Sequence, residues 1–284
     1  MNEPQTLMTG VAFGESPRWH DDRLWFSDWG TQEIIAIDLE GNSEVMVRLN
    51  FPSFQPICFD WLLDGRLLVV SASDGVLLRL EPDGSLVTHA DLSNLASGFN
   101  EIVVDGRGNA YVNGGNFDFA TGAGAHSGII ALVHSDGTVR QVADDIVFGN
   151  GMAITEDGST LIVAESWANR LSAFDIARDG GLSNRRVWAD LGDSPPDGIC
   201  TDAEGALWFA DVPNKLCARV REGGEVLQRI ELDRGCFACA LGGTDRTTLF
   251  MVAREWHGPE TMADEERTGQ ILTAQAPVPG AGRP

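Results

Sequence analysis

Short apolar runs alternate with tight polar turns along this chain, and one composite pattern keeps returning. Its clearest copy is Pro195-Pro196-Asp197-Gly198-Ile199-Cys200-Thr201-Asp202, followed by Glu204-Gly205-Ala206-Leu207-Trp208-Phe209. It reads as a turn, a carboxylate at the mouth of a strand, a Gly turn and a second apolar strand. Copies anchored on the first apolar residue of the second strand fall at Leu24, Leu67, Ala110, Leu161, Leu207 and Leu249. A spacing of about 40–50 residues per unit of four short strands is the period of a propeller blade. The predicted fold is therefore all-β, a six-bladed β-propeller forming one domain over residues 1–284. Thr6–Phe13 reads as a strand ahead of blade one that closes the ring against blade six. The Gly-, Pro- and Ala-rich stretch from about 277 to 284 reads as a frayed tail. No helix signal of useful length is present.

At the start of each first strand the matching position holds Glu15, Gln55, Asn100, Asn150, Asp197 and Phe237. First strands line the central channel of a propeller, so these positions form a ring, and five of its six members carry side-chain oxygen. Such a ring is costly to bury dry, so water or a hard cation has to satisfy it. Asn and Asp also favour strand starts through local backbone bonding, but Glu15 and Gln55 are not turn formers.

Two connections are longer than the repeat needs. One runs from Gly114 through Asn116 and Phe117 to Ser127, the other from Arg254 through Trp256 and His257 to Thr268. Both join a second strand to a third, on the face where first strands begin, so both are expected to overhang the polar ring as lids. They carry His126 and His257, candidate proton shuttles or substrate contacts. Phe99, Phe117, Phe119 and Phe148 all fall near this mouth.

Composition sharpens the picture only in part. A formal net charge of −22 makes nucleic acid and anionic membranes poor partners. No apolar run reaches the roughly 18–20 residues of a membrane span, and the first residues lack the pattern of a secretion signal. Five cysteines without a regular framework suggest reduced core thiols and a cytoplasmic location. Cys236 and Cys239 form a Cys-x-x-Cys, but no second pair or His stands at metal spacing. No Gly-x-Ser-x-Gly turn supports a serine hydrolase.

Gly14-Glu15-Ser16-Pro17, Gly149-Asn150-Gly151 and Pro196-Asp197-Gly198, in this order and at blade spacing, resemble the SMP-30/gluconolactonase/luciferin-regenerating-enzyme family from about Phe13 to Thr273. The resemblance implies one divalent cation in the central channel, held by residues corresponding to Glu15, Asn150 and Asp197. Asn100 matches a family Asn that touches water or substrate beside the metal. Two departures stand out. The family often has Asn-Asp where this chain has Asn100-Glu101, and sugar-lactonase members resemble Arg-x-Asn where this chain reads Gly98-Phe99-Asn100.

Oxygen ligands without His or Cys favour Ca²⁺, with Mg²⁺, Mn²⁺ or Zn²⁺ as alternatives. The expected function is metal-dependent hydrolysis of a lactone or ester. The cation would polarise the carbonyl, and Asp197 or a metal-bound water would serve as base or nucleophile. Asn100, Glu101, Phe117, His126 and His257 are the expected substrate contacts. Phosphotriester hydrolysis, a non-hydrolytic biosynthetic reaction or a purely binding propeller are the alternatives. A small-molecule substrate and a monomer or weak homo-oligomer complete the expectation.

Overall fold

The structure is a computed structural model, and it describes residues 3–51, 54–117, 123–264 and 266–282. Six four-stranded antiparallel sheets follow one another along the chain. Their first strands are Gly14–His20, Ile57–Trp61, Gly98–Val104, Gly149–Ile154, Pro196–Thr201 and Gly235–Gly242. The fold is a six-bladed propeller, as the repeat predicts. Blade six takes its outer strand from the N-terminus: Gln5–Val11 pairs with Gly269–Gln275, from Gln5 opposite Thr273 to Val11 opposite Gly269. Hydrogen bonds between the two ends of the chain thus close the ring. The only helical elements among the described residues are single 3-10 turns, Ser166–Ala168 and Pro259–Thr261. Among these residues no helix is long and apolar enough to cross a membrane.

First and second strands are largely buried because neighbouring blades clamp them. Phe26, Phe59, Trp208 and Phe250 are among the largest fully buried side chains, and Phe250 stacks on Trp19 at 5.4 Å. The five cysteines are free and buried, with Cys200 Sγ 3.8 Å from Cys239 Sγ in the packing between blades five and six.

Close approach of the first strands explains the glycines beside the ring positions. A Cβ on Gly151 would lie 2.6 Å from the Asp197 carbonyl oxygen, and one on Gly198 would lie 2.6 Å from Ala238 Cβ. Asn150-Gly151 and Asp197-Gly198 are therefore one device: a polar side chain at the channel, then a residue small enough for the next blade to touch.

The tail does not fray where it is described. Asp202 bridges Gly280, the Ala203 N–H donates to the Pro279 carbonyl at 2.8 Å, and the Gly280 N–H donates to the Arg246 carbonyl at 2.9 Å. Val278 is buried. Gly and Pro residues suggest disorder by composition, but here they let an extended segment lie flat across blades five and six.

Candidate active site

The site grows from the first strands of blades one, three, four and five. In blade one, Ser16 sits at φ 51°, an unfavourable value for a residue with a Cβ. This turn lets the Ser16 N–H donate to Glu15 Oε2 at 3.1 Å. In blade three, Asn100 Nδ2 donates to Asn150 Oδ1 at 3.1 Å. Asn113 Nδ2 donates to the Asn150 carbonyl at 2.5 Å and fixes that backbone. The Asn150 carboxamide lies beside the Asp197 carboxylate and favours its charged form. Asp197 Oδ1 is buried and has no hydrogen-bond partner among the described residues.

Glu15, Asn100, Asn150 and Asp197 thus share the floor of one channel cavity of about 560 Å³. Burial first, and then the Glu101 charge, push the Glu15 carboxyl up to about 8, with the Ser16 N–H and Arg18 pulling the other way. Burial also holds the Asp197 carboxyl well above the usual carboxylate range, and the Glu15 and Glu101 charges add to it. Two buried acids share one polar floor with one oxygen unpartnered, and burial together with the like charges around them disfavours both charged forms.

Not every ring position reaches the cavity. Gln55 turns into its own blade, where its Oε1 accepts the Ser73 N–H at 2.8 Å, and Pro56 takes its place on the wall. Phe237 lines the cavity as the apolar member of the ring. Glu101 is buried away from the wall: its Oε1 accepts from Arg18 Nη2 at 3.0 Å and from the Ile102 N–H at 2.8 Å. Because the blade-three strand bulges between Phe99 and Glu101, successive side chains there do not simply alternate. Phe99 packs into the core instead of the mouth.

The overhanging loops divide in the same way. Trp256, Pro259 and Met262 of the blade-six insertion line the cavity. Arg254 anchors that insertion, lying 4.9 Å from the centre of the Phe13 ring and donating to the Thr261 carbonyl at 3.1 Å. Phe117 of the blade-three insertion packs edge-on behind Phe148 at 4.8 Å and is not part of the wall. Phe119 lies outside the described residues. His126 faces solvent, bonded to Asp145 at 2.8 Å, and His257 faces solvent 3.9 Å from Glu255, so the structure brings neither to the cavity wall.

Sequence reasoning placed Phe148 at the mouth but passed over the other aromatic residues of the walls. Trp29 stacks on Phe13 at 4.9 Å, and Trp167 stacks on Phe148 at 4.7 Å. Both Trp residues stand just after a second strand that ends in a carboxylate-bearing turn. The Asp28 carboxylate accepts the Ala12 and Phe13 N–H groups, each at 2.9 Å, which fixes the Phe13–Trp29 stack. Glu165 accepts the Val147 N–H at 2.8 Å and so sets the approach of Phe148. The signal was Asp28-Trp29 and Glu165-Ser166-Trp167 at equivalent places in two blades.

Comparison with known proteins places this fold in one family. Residues 13–255 match the SMP-30/Gluconolactonase/LRE-like region. The chain belongs to this family. It is 24% identical to the pentonolactonase XacC of Haloferax volcanii over 100% of this chain and 97% of that one. It is 27% identical to a 6-deoxy-6-sulfogluconolactonase of Pseudomonas putida, in an alignment that covers 56% of each chain. Among solved structures, regucalcin of Agrobacterium tumefaciens, a calcium-binding protein, superposes with a TM-score of 0.78 at 22% identity, covering 99% of this chain and 95% of that one.

Proposed function

We propose that this protein opens lactone rings with the help of one divalent cation at the channel floor. The observation that carries the reading is the unpartnered, buried Oδ1 of Asp197 beside a second buried acid, Glu15. These residues fit a hard cation. Their donors are all oxygen, two of them carboxylates, and a bound cation would relieve the repulsion between acids. Among the described residues no three His, Cys, Asp or Glu side chains gather at one point, so the carboxamide of Asn150 has to complete the set. Relatives named as lactonases support the reaction class.

A cation held by Glu15, Asn150 and Asp197 would polarise the lactone carbonyl and stabilise negative charge on its oxygen. Asp197 takes a proton from the attacking water as the new C–O bond forms. When the ring C–O bond breaks, the same carboxyl returns the proton to the leaving alkoxide, giving a hydroxy acid. Asn150 lies beside the Asp197 carboxylate and favours its charged form, and Asn100 holds Asn150. The aromatic walls shield this floor from bulk water, which strengthens every charge interaction on it.

Hydrolysis of a lactone and ester panel, followed by acid release, tests the reading. Metal-stripped protein is expected to be inactive and to recover with Ca²⁺, Mg²⁺ or Mn²⁺. Full activity after stripping, or no turnover of any lactone with any of these metals, would overturn it.

A further inference from the structure

The walls above this floor specify the substrate more narrowly than ring opening does. One side is Phe13 and Trp29, stacked at 4.9 Å, joined by Phe237 and Trp256 in edge contact at 5.4 Å. The other is Phe148 and Trp167, stacked at 4.7 Å. Among the described lining residues there is no Arg, Lys or His. Apart from the Trp indole N–H groups, of which Trp29 Nε1 already donates to the Ile57 carbonyl at 2.8 Å, polar side-chain groups are confined to the floor and to Ser166, whose hydroxyl already donates to the Pro196 carbonyl at 2.7 Å. Asn100 Nδ2 is likewise committed to Asn150.

Little hydrogen-bonding capacity is therefore left for the far side of a substrate. Each hydroxyl of a polyhydroxylated ring pressed against these aromatic faces would lose water and gain no partner. An anionic substituent would meet no cationic side chain on the wall. Apolar carbons or a flat ring would instead bury area against the stacked faces. At Gly98, where sugar-lactonase members resemble Arg, the glycine itself offers no side-chain donor, and among the described residues an added Cβ would meet only the Gly115 carbonyl oxygen at 3.8 Å.

We infer that the natural substrate class is neutral lactones bearing an aromatic or extended alkyl group and few free hydroxyls. The apolar part would lie between the Trp29 and Trp167 walls. This rests on the lactonase reading, but it can be tested without turnover. Lactams keep the ring and carbonyl and resist hydrolysis. Calorimetric titration of the full chain with Ca²⁺ present would compare a benzo-fused six-membered lactam with a polyhydroxylated six-membered lactam. The benzo-fused lactam is expected to bind at least about tenfold more tightly, the factor that one unpaired buried hydroxyl costs. Trp167→Ala should erase most of that margin, and because Trp167 is 39% exposed the fold should survive the change.

Equal or tighter binding of the hydroxylated lactam would overturn the inference. So would an unchanged margin in a folded Trp167→Ala protein. If the margin is seen but the matching lactones are not hydrolysed, the ring-opening reading fails while the recognition stands. If hydroxylated lactones are hydrolysed and also bind better, the reverse holds.

Discussion

At the scale of single residues, Asp197 carries the most weight, since it is both an unpaired buried acid and the nearest candidate base. Asp197→Asn keeps one oxygen for ligation but removes the base, so kcat should fall by about 10²–10⁴-fold while metal affinity falls less. The same change removes a buried acid whose Oδ1 has no partner among the described residues. The metal-free variant should therefore melt no lower than the metal-free parent, which differential scanning calorimetry can check. Near-normal turnover would move the base role elsewhere.

Glu15, Asn150 and Asp197 were legible in the sequence because a blade repeat turns linear spacing into a ring. Gln55 shows where such counting stops: the position is conserved by the repeat, but the side chain found a nearer partner in the Ser73 N–H. Glu101 shows the same limit, since a strand bulge and a buried Arg18 decide where its carboxylate points. Neither a local bulge nor a partner 83 residues away in sequence leaves a mark in spacing.

At the scale of elements, the second strands of blades one, four and five end in carboxylates, and Asp28 and Glu165 help to hold the mouth together. Glu165 is fully buried, paired with Arg170 at 3.0 Å and Arg185 at 2.9 Å. Burial pushes its carboxyl up, but the Arg170, Ser172, Val147 and Arg185 hydrogen bonds outweigh it and hold the group below its ordinary value. A carboxyl depressed in the folded state adds stability above its unfolded value and loses it as pH falls through the folded one. Glu165→Gln should thus be less stable than the parent at neutral pH, with the gap closing below about pH 4. Urea unfolding at several pH values reads this directly, and a gap that stays constant would contradict it. Strand and turn order was plain from the apolar repeat. The walls were not, because an aromatic residue after a strand looks the same in sequence whether it packs inward or faces a cavity.

At the scale of the whole molecule, the ring is closed at two places by chain ends. The N-terminal strand was readable as a closing element from its apolar pattern. The contacts of the tail are not readable in this way, because composition measures intrinsic flexibility and not the partners a segment meets. Removing residues 277–284 deletes the backbone bonds from the tail to Ala203, Arg246 and Thr201 and uncovers apolar surface between blades five and six. Each kcal/mol lost should lower Tm by about 2–4 °C in a domain of this size. An unchanged melting temperature after truncation would show that the tail adds nothing.

The same whole-molecule geometry makes the central claim testable in one measurement. Glu15, Asn150 and Asp197 come from three blades and share one cavity floor. A crystal structure grown with Ca²⁺ should show one cation with oxygen atoms of all three side chains at about 2.3–2.6 Å. A cation bound elsewhere, or these oxygens lying more than about 6 Å from any common point, far beyond Ca²⁺–oxygen bonding distance, would contradict it.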